Sequence, residues 1–253
     1  MQPLNLDKPE PAANDSGNQD TYGLQRYRAC VSKLARSLQS WALTRPWPGR
    51  TGATDKAVYL AHLKIVLRCG QDPHGASVRE LAELAGIVWG TAKNANHRLI
   101  TARLLNLATR FTSTDPAYYS LIIPPSQDTL PGAVAGECAL MTQSHDVFRF
   151  KALGKTGYDV WRSLLAHRSD SVWVNDIVAE TGRKIRTVER KLARMQRLGM
   201  AERVARGYWR AFPDVDLDKA AEALDTSGMG ERQRRKHQHD RELYNANLPR
   251  RQP

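Results

Sequence analysis

Between Gly182 and Tyr208 the chain reads GRKIRTVERKLARMQRLGMAERVARGY, and this stretch constrains the fold more than any other. Val188, Leu192, Met195 and Leu198 recur at spacings of four, three and three, which places one apolar stripe along a helix. The other faces carry Lys184, Arg186, Thr187, Arg190, Lys191 and Arg194. Gly199 follows the stripe and suits the left-handed backbone that ends a helix. Two short strands, 201–205 and 208–212, then flank Arg206-Gly207, a hairpin turn.

Charge concentrates on the same stretch. The 253 residues carry a formal net charge of +12, and ten Lys and Arg fall between Arg183 and Arg210 against only Glu189 and Glu202. Lys and Arg neutralise phosphates and release their counterions, so a basic face of this density points to a polyanionic partner. At 41% hydrophobic residues the chain is long enough to bury a core and to divide into two small domains. It has no run of about 18 apolar residues for a membrane span and no signal-peptide pattern near its start, so a cytoplasmic, nucleoid-associated location is expected. Cys30, Cys69 and Cys138 are odd in number and far apart, which indicates neither a disulfide framework nor a thiolate metal site.

Taken in order, residues 1–20 hold too little apolar surface to order alone and read as a disordered tail. Residues 21–53 give an amphipathic helix through Leu24, Tyr27, Val31, Leu34, Leu38 and Trp41, followed by a Pro-rich break at Arg45-Pro-Trp-Pro. That helix packs on the next unit or forms a dimer contact, and both remain open. A first unit spans 54–125. A helix closed by Gly70 leads to Ser77 and Glu80, spaced as a capping box, then to a second helix ended by Gly86. AGIVWGTAKNANHRLITARLL follows, with strands over 105–109 and 118–123. After a linker over 126–147, a second unit over 148–213 repeats the pattern, with Asn175 as a cap and Gly182 as the turn. Residues 214–253 read as a short helix and a basic tail through Arg232, Arg234, Arg235 and Lys236, either solvated or contacting phosphates or a partner, and both readings remain open.

A short helix with one buried face and one basic face resembles the recognition helix of a helix-turn-helix, and a basic hairpin directly after it resembles the winged-helix superfamily. The local wording, AGIVWGTAKNANHRLITARLL included, is similar to GntR and MarR regulators. The resemblance implies a small capping residue where Val88 stands and an apolar residue where Asn96 stands; an Asn there must find partners or cost stability, so either it faces solvent in a shifted register or the helix is distorted. The fold class expected is therefore mainly α with small β-wings, two winged helix-turn-helix domains in tandem with flanking helices and tails. On this resemblance the partner is double-stranded DNA, and a homodimer through the N-terminal helix or the first domain is open. Arg186, Thr187 and Arg190 would face base edges, while Arg183, Lys184, Lys191, Arg194, Arg203 and Arg206 would hold phosphates. In the first unit Trp89, Thr91, Lys93, Asn94, His97 and Arg98 would form the exposed face.

No catalytic arrangement accompanies these features. Gly154-Lys155-Thr156 ends like a phosphate-binding loop, but Arg149 stands where the loop needs its first Gly. His237 and His239 lack companions at metal-ligand spacing. The expectation is a non-enzymatic DNA-binding protein without metal or cofactor: a sequence-specific transcriptional regulator. Two alternatives are a replication initiator of a plasmid, phage or integrated element, and a structural or assembly subunit using its first domain for protein contacts.

Overall fold

The computed structural model describes residues 16–247 apart from 111, 113–114, 125–142 and 168–169, with side chains over 23–246. Most of the expected linker, the first 15 residues of the expected tail and the last six of the chain lie outside the described residues. The rest is mainly helical with two small antiparallel sheets, an α+β arrangement.

Helix α1 (Ser16–Thr44) starts inside the stretch expected as a tail and lies along α2 (Gly52–Cys69). Its buried face is Val31, Ala35, Leu38, Trp41 and Ala42, whereas Leu24 and Tyr27 of the same seam are exposed. The Pro-rich break between the two helices is an arm folded onto the core. Trp47 Nε1 donates to Ala42 O at 3.0 Å, and its ring meets Trp41 and Tyr59 with centroids 6.1 and 5.9 Å away. Aromatic rings at such separations add to the burial itself.

After α2 come β1 (His74–Ala76), α3 (Val78–Ala85), α4 (Trp89–Thr101), β2 (Leu105–Thr109) and β3 (Ala117–Leu121). The strands pair in the order β1-β3-β2. Strand β1 is three residues long, too few to show an alternation in the sequence. Ser77 caps α3 by accepting from Glu80 N at 3.1 Å; the Glu80 carboxylate turns to Arg68, so only half of the expected capping box forms.

The same order recurs in α5 (Gly154–Ala166), β4 (Val172–Trp173), α6 (Val174–Thr181), α7 (Ile185–Arg197), β5 (Ala201–Ala205) and β6 (Tyr208–Ala211). This second sheet has the matching order β4-β6-β5. Gly86 and Gly182 both take a left-handed backbone, φ 61° and 66°, where one short helix turns into the next. Asn175 is not a cap. It lies inside α6, whose N-cap is Trp173, and the Val174 N–H is satisfied from outside by Gly207 O at 2.8 Å.

Each unit has its own apolar core. Between them α2 and α5 meet through polar groups: Asp159 lies 3.5 Å from both Lys56 Nζ and Arg183 Nη2, and the Arg162 guanidinium donates to Leu43 O. Lys155 is buried beside them, donating to Gln143 O, and burial together with Arg149 lowers its ammonium from 10.5 to about 7. The chain then forms α8 (Leu217–Glu222) and α9 (Met229–Asn247), so the basic segment expected as a tail is helical, and α9 packs on α3.

Asn96 neither meets solvent nor distorts α4. It is buried, and its Oδ1 accepts from His62 Nε2 at 3.1 Å; His62 Nδ1 in turn meets His74 Nε2 at 2.8 Å. A His on α2 and another on β1 thus supply the partner that a buried amide requires. Burial, with His74 beside it, pushes the His62 imidazole from 6.5 down to about 3 despite the Asn96 bond. A depressed folded-state value means that unfolding takes up a proton, so stability is full above pH 6.5 and declines as pH falls from there toward 3. Each pH unit in that window costs up to about 1.4 kcal/mol. The melting temperature should therefore fall from pH 7 to pH 5. His62→Gln, which keeps a donor and an acceptor but does not titrate, should lose part of that dependence; identical pH slopes in the two proteins would assign the effect to other groups.

Candidate nucleic-acid interface

Helix α7 buries Val188, Leu192 and Met195 completely, which fixes the rotation of everything else on it. Arg186, Arg190 and Arg197 are exposed and follow one another at four and seven residues, so they form a single stripe opposite the core. Among the described residues no carboxylate stands within ion-pair distance of any of the three. Lys184, at the N-cap, is exposed and makes no side-chain capping bond. Thr187 is half-buried at the edge of the stripe. Helix N-termini carry partial positive charge and favour anions, which adds to the charge of Lys184 and Arg186.

Other expected contacts are already occupied. Arg183 is a correction: it is 7% exposed, paired with Asp159, and its Nη1 donates to Gly49 O at 2.6 Å, so it belongs to the junction between the units. Its place before the helix turns it inward, whereas Lys184 faces out. Lys191 donates to Leu153 O, and Arg194 donates to Ala152 O at 2.8 Å. These bonds tie α7 to the segment entering α5. Burial, with Arg194 and Arg190 nearby, lowers the Lys191 ammonium from 10.5 to about 8. Arg190, Lys191, Arg194 and Arg197 together line a hollow of about 390 Å³.

The β5–β6 hairpin projects beside α7, with Arg203 and Arg206 exposed. Gly207 at its tip has φ +82°, and a side chain there would meet the Trp173 indole at 3.2 Å. Trp173 and the Val174 N–H thereby hold the tip against the start of α6. Arg210 is neutralised by Glu202, its cross-strand partner.

In the first unit the equivalent surface is weaker. Trp89, Lys93, Asn94 and His97 are exposed and Thr91 is half-buried. Arg98 is a second correction, because it forks onto Asp55 with bonds of 2.6, 3.0 and 3.1 Å and packs α4 on α2. Lys93 is thus the only exposed Lys or Arg on α4.

The sequence reading missed two features. Arg197 extends the α7 stripe by two turns, and its spacing from Arg190 carried that information. Phe150, 90% exposed, adjoins the carbonyls that hold Lys191 and Arg194, but a lone aromatic before a helix gives no periodic signal. Among the described residues no helix is long and apolar enough to cross a membrane, and no group of three or more His, Cys, Asp or Glu is placed to hold a metal ion.

The two kinds of arginine make separable predictions. Arg183→Ala should cost about 3 kcal/mol of stability, because it strips a buried carboxylate of one partner. Arg186→Ala should stay within about 0.5 kcal/mol of the wild type. Chemical denaturation of the two variants measures both, and equal losses would contradict the inward and outward placement. Compared with family models, with curated proteins and with solved structures, the chain matches none.

Proposed function

We propose that the chain is a sequence-specific double-stranded DNA-binding protein built from two winged helix-turn-helix units, and that it acts as a transcriptional regulator. The observation that carries this reading is the unpaired stripe Arg186, Arg190 and Arg197 on a helix whose opposite face is locked into a core. An α-helix fits the major groove, and Arg pairs bidentately with guanine O6 and N7. Arg186 and Arg190, with Thr187 at their edge, read bases. Lys184, Arg203 and Arg206 hold phosphates, and the hollow beside Arg190 and Arg197 receives another. Lys191 and Arg194 act through their charge while keeping α7 in place. Arg206, at the hairpin tip, lies where a wing reaches the neighbouring minor groove.

The two units are unequal in charge and packed together through α2 and α5, which favours a second reading as a replication initiator. One unit then reads DNA and the other contacts a partner or a second copy. The arrangement of sites separates the readings, since a dimeric regulator selects a palindrome and an initiator an array of direct repeats.

Selection of bound duplexes from random DNA should yield one consensus for the wild type. Arg186→Ala and Arg190→Ala should each relax one position of it, at about 1 to 3 kcal/mol per lost contact. Affinity should also fall steeply with salt. A wild type that selected no consensus and bound independently of salt would sink the proposal.

A further inference from the structure

The segment that reads as a basic tail is seated at the joint of the molecule. Gly230 N donates to Asp146 Oδ1 at 2.8 Å, and Arg149 Nη1 donates to Gln233 Oε1 at 2.5 Å, which fixes the start of α9 to the segment entering the second unit. Further along, Gln233 Nε2 donates to Ile87 O at 2.8 Å, His237 Nδ1 meets Glu83 Oε1 at 2.5 Å, and Asp240 pairs with Arg79 at 3.3 Å, all on the first unit. These contacts take one side of α9. Arg232, Arg234, Arg235 and Lys236 are exposed on the rest of its first two turns, and among the described residues only Arg235 has a carboxylate within ion-pair distance, Glu231.

This placement of charge costs helix stability. Cations near a helix N-terminus oppose the macrodipole. Arg232 and Lys236, four apart, also repel each other. The positive end so formed stands next to Ile87, two residues before α4, whose own N-cap Val88 offers no side-chain bond and whose only exposed Lys or Arg is Lys93. Cations that the first unit lacks are therefore supplied to it by a helix from the far end of the chain.

We infer that α9 is a phosphate-binding element of the first unit: Arg232, Arg234, Arg235 and Lys236, held beside the α4 N-terminus by Gln233 and His237, grip the backbone of the same duplex that α7 reads. The inference rests on the DNA-binding reading above and extends it to the first unit. Phosphate contacts of this kind add affinity without sequence preference.

The test compares three full-length variants with the wild type by fluorescence anisotropy on the selected duplex across salt concentrations. The first changes Arg232, Arg234, Arg235 and Lys236 to Gln. The second changes Arg28, Lys33, Arg36 and Arg50 to Gln, an equal loss of charge around α1. The third is Arg186→Ala with Arg190→Ala. Far-ultraviolet circular dichroism and melting of each variant establish that it is folded. The α9 variant should keep the wild-type consensus, bind at least about tenfold more weakly at moderate salt, and lose about one unit of salt slope for each phosphate contact removed. The α1 variant should change far less. An α9 variant that loses no more slope than the α1 variant overturns the inference, and the DNA-binding reading then stands or falls with the α7 variant alone. A wild type without salt-dependent binding overturns both.

Discussion

The Asp159 carboxylate, almost completely shielded from water, sits between Lys56 of α2 and Arg183 of the turn before α7, and the relation of the two units depends on it. A lone carboxylate at such a site would be strongly destabilising; two cations from opposite sides offset its lost hydration. Neither contact is short, at 3.5 Å each, and the Arg162 guanidinium brings further positive charge close to Lys56. Burial leaves its mark on Lys56, whose ammonium falls from 10.5 to about 8 although Asp159 pulls it upward. Ion pairs of this kind add little net stability compared with apolar contacts of equal volume, but they reject misaligned packings, in which the charge would be left bare. The junction thus selects one arrangement of the units more than it glues them.

Within that arrangement the two units differ in what they do with arginine. In the second, the stripe on α7 is left open and the supporting cations are turned onto main-chain carbonyls. In the first, the arginine on α4 is spent on Asp55, and its polar face keeps a single lysine. The buried network of His74, His62 and Asn96 shows a related difference: α4 carries a hydrogen-bonded amide on its inner face beside Ala92, Ala95 and Leu99, where the inner face of α7 is Val188, Leu192 and Met195.

Elements with strong apolar periodicity were legible in the sequence. The stripe of α7, the glycine turns at 86 and 182 and both hairpins follow from spacing and from backbone conformations that glycine tolerates. Elements held by polar contacts were not. Helix α9 has Gln233, His237 and Asp240 on its inner side, so a search for hydrophobic spacing reads it as solvent-exposed throughout. Asn96 looked like a defect because its partners come from α2 and β1. At the candidate site, Arg186 and Arg190 could be placed by rotation from the buried stripe. Arg183 and Arg98 could not, because their fate is decided by acidic residues distant in sequence, Asp159 and Asp55.

The arm that carries Trp47 has a steric consequence. Pro46 and Pro48 press on Gly182, where even a methyl group would lie 3.1 Å from the Pro46 ring, and Gly49 O receives Arg183, 134 positions later in the chain. The turn from which α7 starts is thus closed on its outer side by the segment leaving α1, and glycine is the residue that suits both the nearness of the two proline rings and the φ of +66° at position 182.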